Sequence, residues 1–405
     1  MKIPRASWAL ALGSAVSLAA QALFSLLMLR AFSPEAVGSF AVIAQLAFFW
    51  MTLALAQSPL RLLADAHVPL AQARRQALRG TGVRLLLLFP VAALAAFFGG
   101  APLAASLGWA AVLAVLQAGW YIAQPFALRS THARSAALAR ALPPLCALAT
   151  AGVGAWWMPG GGAAVLLASA AVGYAVGCLW LCKRSAIQAA PAAGRPMPQQ
   201  GDSRSTLLRL MHTAADAATG AALLLVWQRV HGAADAGLLA VLLRLLGMAP
   251  VVVHTAWAQV LLAQGTRWHA SPLWAGAVGA VLTAALGSAC ALLLSQGWLP
   301  AWQAALPYVL PITLWQAAAC MHAACSHLPF QHGRASAFSY AAIGLAALQW
   351  LALCLPAIAG TGASAHAWWL AGASTAGLLL WTAAIVRGCR TPAFAPDAPP
   401  TRGQT

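Results

Sequence analysis

Positive charge in this 405-residue chain is concentrated in alternate gaps between long apolar stretches. The stretches are each roughly 20 residues long, the length that a helix needs to cross a hydrocarbon core of about 30 Å. They are continuously apolar, which favours helices over the strands of a membrane barrel. Twelve can be counted, at residues 7–29, 38–56, 84–100, 103–127, 136–157, 161–181, 207–229, 238–262, 273–297, 303–325, 335–355 and 364–386. The sequence therefore predicts an all-α polytopic membrane protein with about 12 transmembrane helices.

The charge pattern also predicts how the chain is oriented. With a cytoplasmic N-terminus, 20 of the 23 Lys and Arg residues lie on the cytoplasmic side, as the positive-inside rule expects. The exceptions are Arg30 and Arg229, in outside gaps, and Arg244, within a stretch. The formal charge of +17 therefore indicates a face that meets anionic lipids, not a nucleic-acid-binding surface. We expect a bacterial inner-membrane protein with both termini cytoplasmic and with its first stretch, which continues to Leu29, retained as a helix.

A basic, proline-containing gap at the midpoint of the chain leaves six stretches on each side. We predict an N-terminal six-helix lobe at 1–181, a cytoplasmic linker at 182–206, a C-terminal six-helix lobe at 207–386 and a disordered cytoplasmic tail at 387–405. Shifted by 199 positions, Arg30 aligns with Arg229 and Gly38 with Gly237. An even number of helices per half makes such repeats parallel and places a site between them. The expected architecture is two parallel six-helix lobes around a central cavity.

Two outside hairpins resemble a known family. The segment from Arg30 to Gly38, RAFSPEAVG, is similar to the first outside hairpin of the multidrug/oligosaccharidyl-lipid/polysaccharide (MOP) exporter superfamily. The segment from Gln228 to Gly237, QRVHGAADAG, resembles the equivalent hairpin of the second half, with leucines in place of the usual aromatic residue after Gly237. The polysaccharide branch of this superfamily contains flippases of the O-antigen type.

The resemblance implies a V-shaped pair of lobes that work by alternating access. It implies a lipid-linked oligosaccharide as substrate, carried from the cytoplasmic to the periplasmic leaflet, and a glycan polymerase as a partner. A second function in the same superfamily is the cation-coupled export of small molecules such as drugs. Binding of a cationic drug requires several acidic residues in the cavity. Asp216 is the only acidic residue deep inside a stretch, which counts against drug export.

Asp216 is the first candidate for ion coupling. A carboxylate at the bilayer centre costs about 2.5–3.5 kcal/mol on insertion scales, so it should face the bundle interior or a wet cavity. His212 lies one turn away and could share a proton, and His254 lies at a similar depth and is a candidate partner. The alternative is a buried structural hydrogen bond. Asp216 shares a polar stripe, within about 40° on a helical wheel, with Arg209, His212, Gly220 and Trp227.

The substrate candidates are the arginines that depart from the positive-inside pattern and several neutral polar groups. Arg244 either snorkels to the outer interface or acts as a cavity cation, and its alignment with Gln45 in the repeat favours the cavity. Arg30 and Arg229 occupy matching outer helix ends. Glutamine amides suit sugar hydroxyls, although for each glutamine taken alone helix–helix hydrogen bonding is the favoured role. The full set of substrate candidates is Arg30, Gln45, Arg229, Arg244, Gln259 and Trp227.

Enzyme and metal chemistry find little support. A membrane-embedded glycan polymerase or glycosyltransferase would use paired carboxylates, and the outside gaps contain only Glu35 and Asp235, one in each of two hairpins. The eight cysteines form no CxxC pattern, and Cys320 and Cys325 beside His322 are interpreted as small apolar fillers of a helix. We therefore expect a transporter with no catalytic residues, no metal and no cofactor.

Overall fold

The computed structural model describes residues 5–56, 58–59, 70–100, 103–129, 133–186, 203–254 and 271–390. In these ranges every regular element is a helix. The α-helices are α1 (Arg5–Ala31), α2 (Pro34–Leu55), α3 (Leu70–Leu87), α4 (Phe89–Phe98), α5 (Leu103–Arg129), α6 (Ala133–Trp157), α7 (Gly162–Ala186), α8 (Ser203–His231), α9 (Ala233–Leu246), α10 (Met248–Val253), α11 (Pro272–Ser295), α12 (Leu306–Cys325), α13 (Leu328–Gln331), α14 (Ala335–Ile358) and α15 (Ala363–Arg390). A 3₁₀ turn at Pro300–Ala305 precedes α12.

The all-α, multi-pass prediction is confirmed. Ten of the described helical segments are long and apolar enough to cross a membrane, and the bent pair α3–α4 brings the number to eleven. The predicted fifth stretch also forms a long helix, α6, which carries Arg140 and two prolines. Residues 255–262 of the predicted eighth stretch lie outside the described residues.

The third predicted span is broken rather than straight. Its two helices meet at Leu88 with a bend of 46°. Pro90 lies in the first turn of α4. A proline ring collides with the carbonyl group four residues earlier and cannot donate a backbone hydrogen bond, so the helix bends there.

The hairpin between α1 and α2 is shorter than the apolar pattern predicted, because only Phe32 and Ser33 separate the helices. The Ser33 hydroxyl accepts a hydrogen bond from the Ala36 N–H at 3.3 Å, and Pro34 occupies the first turn of α2. Glu35 lies in the same turn, where the positive end of the helix dipole favours a carboxylate. Local sequence therefore sets the start of α2.

At the opposite end of α2, Arg84 caps the helix. Its Nε donates to the carbonyl oxygen of Ala54 at 2.5 Å, and its Nη2 donates to the Ser58 hydroxyl at 2.9 Å. A cation is favoured at a helix C-terminus because it neutralises unpaired carbonyl groups. Similarly, Arg334 at the start of α14 donates to the carbonyl of Gly388 near the end of α15 at 2.7 Å. These two arginines therefore stabilise helix ends.

The two halves of the chain meet where α2 crosses α9. A Cβ on Gly38 would overlap the carbonyl oxygen of Ala233, and a Cβ on Gly237 would overlap the carbonyl oxygen of Pro34. The two contacts are reciprocal at the 199-residue repeat distance, because Pro34 begins α2 and Ala233 begins α9. Only glycine permits backbones to approach this closely. Helix α2 also packs on α5, α7 and α8, and it is the most buried of the candidate spans.

Candidate functional site

A cavity of about 300 Å³ lies among α1, α2, α5, α6 and α7 of the first half. One side chain of the second half, Arg244 from α9, reaches into it. None of the described residues that line the cavity is acidic. The polar and aromatic residues of its wall are Ser17, Gln21, Phe24, Phe40, Gln117, Trp120, Tyr121, Arg140, Tyr174 and Arg244.

Arg244 is the cation most directly presented to this space. Its guanidinium carbon lies 4.9 Å from the centroid of the Phe24 ring, a cation–π geometry. Tyr174 is close enough to interact with it electrostatically. Within the described part of the chain, the guanidinium forms no ion pair and no hydrogen bond, and the side chain lines the cavity. Of the two interpretations of Arg244, this position matches the cavity cation and not the snorkelling side chain.

Arg140 is a second cavity cation, which the sequence pattern had grouped with the cytoplasmic charges. It lies seven residues after the start of α6, and its Nη1 donates to the Ser14 hydroxyl of α1 at 3.0 Å. Gln117 and Tyr174 were also missed as lining residues. A usable signal existed for Gln117, because Gln316 lies 199 residues later at the repeat distance.

The repeat is visible in the side chains as well as in the helices. Gln45 on α2 is directed toward Gly220 of α8, where its Nε2 would lie 2.7 Å from a Cβ. Arg244, which follows Gln45 by 199 positions, is directed toward Phe24 on α1. Each half therefore sends one polar side chain from its second helix to the first helix of the other half. The first-half side chain is neutral and the second-half one is cationic, so the interface is electrostatically asymmetric.

The ion-coupling candidates lie outside this cavity. Asp216 is exposed on α8 and interacts electrostatically with His212 one turn earlier. The His212 ring packs edge-on against Phe338 of α14, with centroids 5.8 Å apart. The structure gives His254 a different neighbour from the Asp216 partner that the sequence predicted. His254 Nδ1 instead lies 3.3 Å from the Ser326 hydroxyl, because the end of α10 packs on α12.

Trp227, another predicted substrate residue, is not among the residues that line this cavity. Its side chain is 0% exposed and is enclosed by His231, Tyr308 and His366. A residue without exposed surface cannot contact a substrate in a wet cavity, so Trp227 belongs to the packed core. Its position on the predicted polar stripe of α8 did not reveal this, because a helical wheel does not say which neighbouring helix covers a face.

The remaining substrate candidates lie at helix ends or outside the described residues. Arg30 is exposed at the end of α1. Arg229 lies beside Gly100, and the adjacent Gln228 donates to the carbonyl of Gly99 at 3.1 Å. This contact joins the ends of α8 and α4 and gives Arg229 a structural neighbour away from the cavity. Gln259 falls in a segment that lies outside the described residues.

No metal site is found in the described ranges. No group of three or more His, Cys, Asp or Glu side chains there is arranged to hold an ion. The cysteines described are all unbonded. Cys320 is fully buried with its Sγ 3.4 Å from the Thr283 hydroxyl. That environment suits a small packed side chain.

Neither a family model nor a curated protein matches the sequence. Solved structures do match over nearly its whole length. The lipid II flippase MurJ in an inward closed conformation aligns with a TM-score of 0.62 at 12% identity, covering 94% of this chain and 87% of that chain. The MATE multidrug transporter DinF-BH aligns with a TM-score of 0.55 at 13% identity, covering 95% of this chain and 96% of that chain.

An inward-facing multidrug resistance MATE family transporter of the MOP superfamily aligns with a TM-score of 0.53 at 10% identity, covering 93% of this chain and 96% of that one. At these identities the likeness establishes the fold. The chain is a multi-pass membrane protein with the fold of MOP superfamily transporters, as the two hairpins had indicated. The neighbours include both a lipid flippase and drug transporters.

Proposed function

We propose that this protein is a flippase for a lipid-diphosphate-linked oligosaccharide, a polysaccharide precursor of the O-antigen or lipopolysaccharide type. It carries the glycan from the cytoplasmic to the periplasmic leaflet of the bacterial inner membrane by alternating access. The function is transport rather than catalysis. A glycan polymerase that consumes the product and anionic lipids at the cytoplasmic face are its proposed partners.

The polarity of the cavity carries this proposal. Arg244 and Arg140 supply positive charge, and no described lining residue is acidic. Guanidinium groups bind diphosphate oxygens through charge-assisted, often bidentate hydrogen bonds. Gln21 and Gln117 supply amides for sugar hydroxyls, and Trp120 adds an aromatic ring to the cavity wall. A cationic drug would meet repulsion in this space, which argues against the multidrug-exporter alternative.

The proposed orientation supports loading from the cytoplasm. With both termini cytoplasmic, the crossing of α2 and α9 at Gly38 and Gly237 lies toward the periplasmic side. The halves are in backbone contact there, so access to the cavity is expected from the opposite side. Arg140, seven residues into α6 from its cytoplasmic start, would then meet the diphosphate before Arg244 does.

Substitution of Arg244 tests the proposal. Arg244→Gln should slow flipping by about 10- to 100-fold at limiting substrate, because a hydrogen bond to a charged group contributes about 1.5–3 kcal/mol. Arg244→Lys should retain part of the activity, because the charge stays while the bidentate geometry is lost. The measurement is the accumulation of the cytoplasm-facing lipid-linked intermediate in cells that depend on each variant.

Arg79→Gln is the matched control, since Arg79 is exposed on α3 and does not line the cavity. Two results would contradict the proposal. One is normal glycan export in cells that lack both this protein and any redundant flippase. The other is wild-type flipping by Arg244→Gln together with altered drug susceptibility on overexpression, which would favour the drug exporter.

A further inference from the structure

A cluster of titratable side chains lies at the end of α8, separate from the cavity and from the Asp216–His212 pair. His231 Nε2 is 2.9 Å from His366 Nδ1 of α15, a hydrogen-bonding distance across 135 residues of sequence. The two ring centroids are 5.2 Å apart. Trp227 packs against both rings, with centroid distances of 4.9 Å to His231 and 4.6 Å to His366.

The two histidines differ in their access to water. His366 is 0% exposed. His231 is half-buried and is the last residue of α8, followed by the exposed Gly232. His231 is therefore the ring of the pair that solvent can contact.

The geometry limits how many protons the pair can hold. A nitrogen–nitrogen hydrogen bond contains one proton, donated by one ring and accepted by the other. With both rings neutral, the pair carries two N–H groups, one of which lies in the shared hydrogen bond. One added proton forms a second N–H bond on a ring while the shared hydrogen bond is kept. A second added proton would place two N–H groups and two positive charges against each other. The pair can therefore bind one added proton.

The surroundings favour a single positive charge. The Trp227 ring lies over His366 at an interplanar angle of 35°, so that its π face can stabilise an imidazolium. Asp235, in the first turn of α9, interacts electrostatically with His231 and accepts a hydrogen bond from Tyr308 of α12 at 2.5 Å. The Asp235 carboxylate is thus held in place as a counter-charge.

Other elements around the pair contribute no further charge among the described residues. Helix α14 presents the backbone carbonyl of Leu353 to His366. Gly99 and Gly100, which follow α4, present their backbone to Gln228 and Arg229 in the last turn of α8. Asp235, Tyr308 and the two histidines are therefore the titratable groups of the cluster, and Arg229 is the permanent cation in the last turn of α8.

We infer that His231 and His366 form a binding site for one proton taken up from the outer aqueous face, with Asp235 as its counter-ion. The site is built by α8, α9, α12 and α15, all in the second half. Asp235 lies two residues before Gly237, at the crossing between the halves. Occupancy of the site therefore acts on the helix end that holds the outer sides of the two halves together.

The test is a proton titration of the full-length protein in lipid nanodiscs, without substrate, so that it stands or falls independently of the proposed flippase activity. Histidine-labelled protein is followed by NMR between about pH 4 and pH 9, which brackets ordinary imidazole titration. The expected result is a coupled titration in which the two rings together take up one proton. Two rings that titrate independently, two protons taken up, or no titration of either ring would overturn the inference.

Substitutions test whether the coupled titration arises from the His231–His366 pair. His366→Gln and His231→Gln should each abolish the coupled step, and Tyr308→Phe, which leaves both rings in place, should shift its midpoint through Asp235. His332→Gln is the control, because His332 Nδ1 lies 2.9 Å from the Leu328 carbonyl, far from the pair in sequence. A coupled step that survives in His366→Gln would refute the assignment. If a variant fails to fold, the wild-type titration alone still decides.

Discussion

The reciprocal crossing of Gly38 and Gly237 makes a quantitative prediction about how the two halves separate. In Gly38→Ala, the new Cβ would lie 2.8 Å from the backbone nitrogen of Gly237 and would overlap the Ala233 carbonyl oxygen. Ordinary contacts begin at 3.4 Å, and the overlap with the Ala233 carbonyl oxygen is deeper than the contact with Gly237, so the helices must move apart by more than the 0.6 Å that the Gly237 contact alone requires. A gap of 0.5–1 Å forfeits a quarter to a half of the dispersion energy of the atoms that faced each other.

The expected cost to the contacted state is about 1–3 kcal/mol, the range for overpacked cores. A state in which the outer ends are apart pays none of this cost. The equilibrium should therefore shift toward the separated state by roughly 5- to 150-fold. Gly237→Ala should have a similar effect, because its Cβ meets the equivalent atoms of α2. The double variant should cost little more than either single one, since one separation relieves both clashes.

The assay is the distance distribution between spin labels on the outer ends of the two halves. Met158, after α6, and Ala359, after α14, are exposed and suit labelling in a background without native cysteines. Gly108→Ala on α5 is the control, because nothing lies within 4 Å of its Cβ position. It should leave the distances unchanged and stabilise α5 by up to about 1 kcal/mol. Distances in Gly38→Ala that equal those in the control, or effects that add fully in the double variant, would refute the reasoning.

Two further predictions concern stability. Arg84→Ala should lower the free energy of unfolding by about 1.5–3 kcal/mol, because the α2 carbonyl of Ala54 loses a charged donor. The control, Arg75→Ala at an exposed position of α3, should change the free energy of unfolding by less than about 0.5 kcal/mol. Thermal unfolding measures both variants, and equal effects would exclude the capping role. Trp227→Ala should lower the free energy of unfolding by about 3–5 kcal/mol, as expected for a buried aromatic residue, while the folded fraction keeps wild-type substrate affinity in a binding assay. A loss of affinity at unchanged stability would instead make Trp227 a substrate-binding residue. Substitution of Trp369, which is 63% exposed, provides the control.

Much of the architecture was accessible from the sequence because the bilayer imposes local rules. A helix must be apolar for roughly 20 residues, and this rule alone located the spans. The two glycines at the repeat distance indicated where the halves correspond, and the structure brings them into contact. The bend at Leu88 was missed, although Pro90 was a readable signal.

The candidate site was less accessible, because a residue's role depends on which helix covers its face. Arg244 was recognised as an exception to the charge pattern, and the structure directs it into the first-half cavity. Trp227 and His254 were assigned by depth and helical face, and both have other neighbours than expected. Arg140 conformed to the charge rule and so was passed over, yet it lines the same cavity as Arg244.

By itself, the sequence determined the all-helical class, the placement of the spans and the correspondence of the two halves, because hydrophobic length and a repeat distance are properties of continuous segments. Tertiary structure alone decided that Arg244 and Arg140 share a cavity, that Trp227 is enclosed, and that His231 meets His366. These are contacts between helices distant in sequence, and apolar membrane helices of similar composition could pack in many arrangements. Only the close backbone approaches and side-chain shapes of the folded protein select one of them.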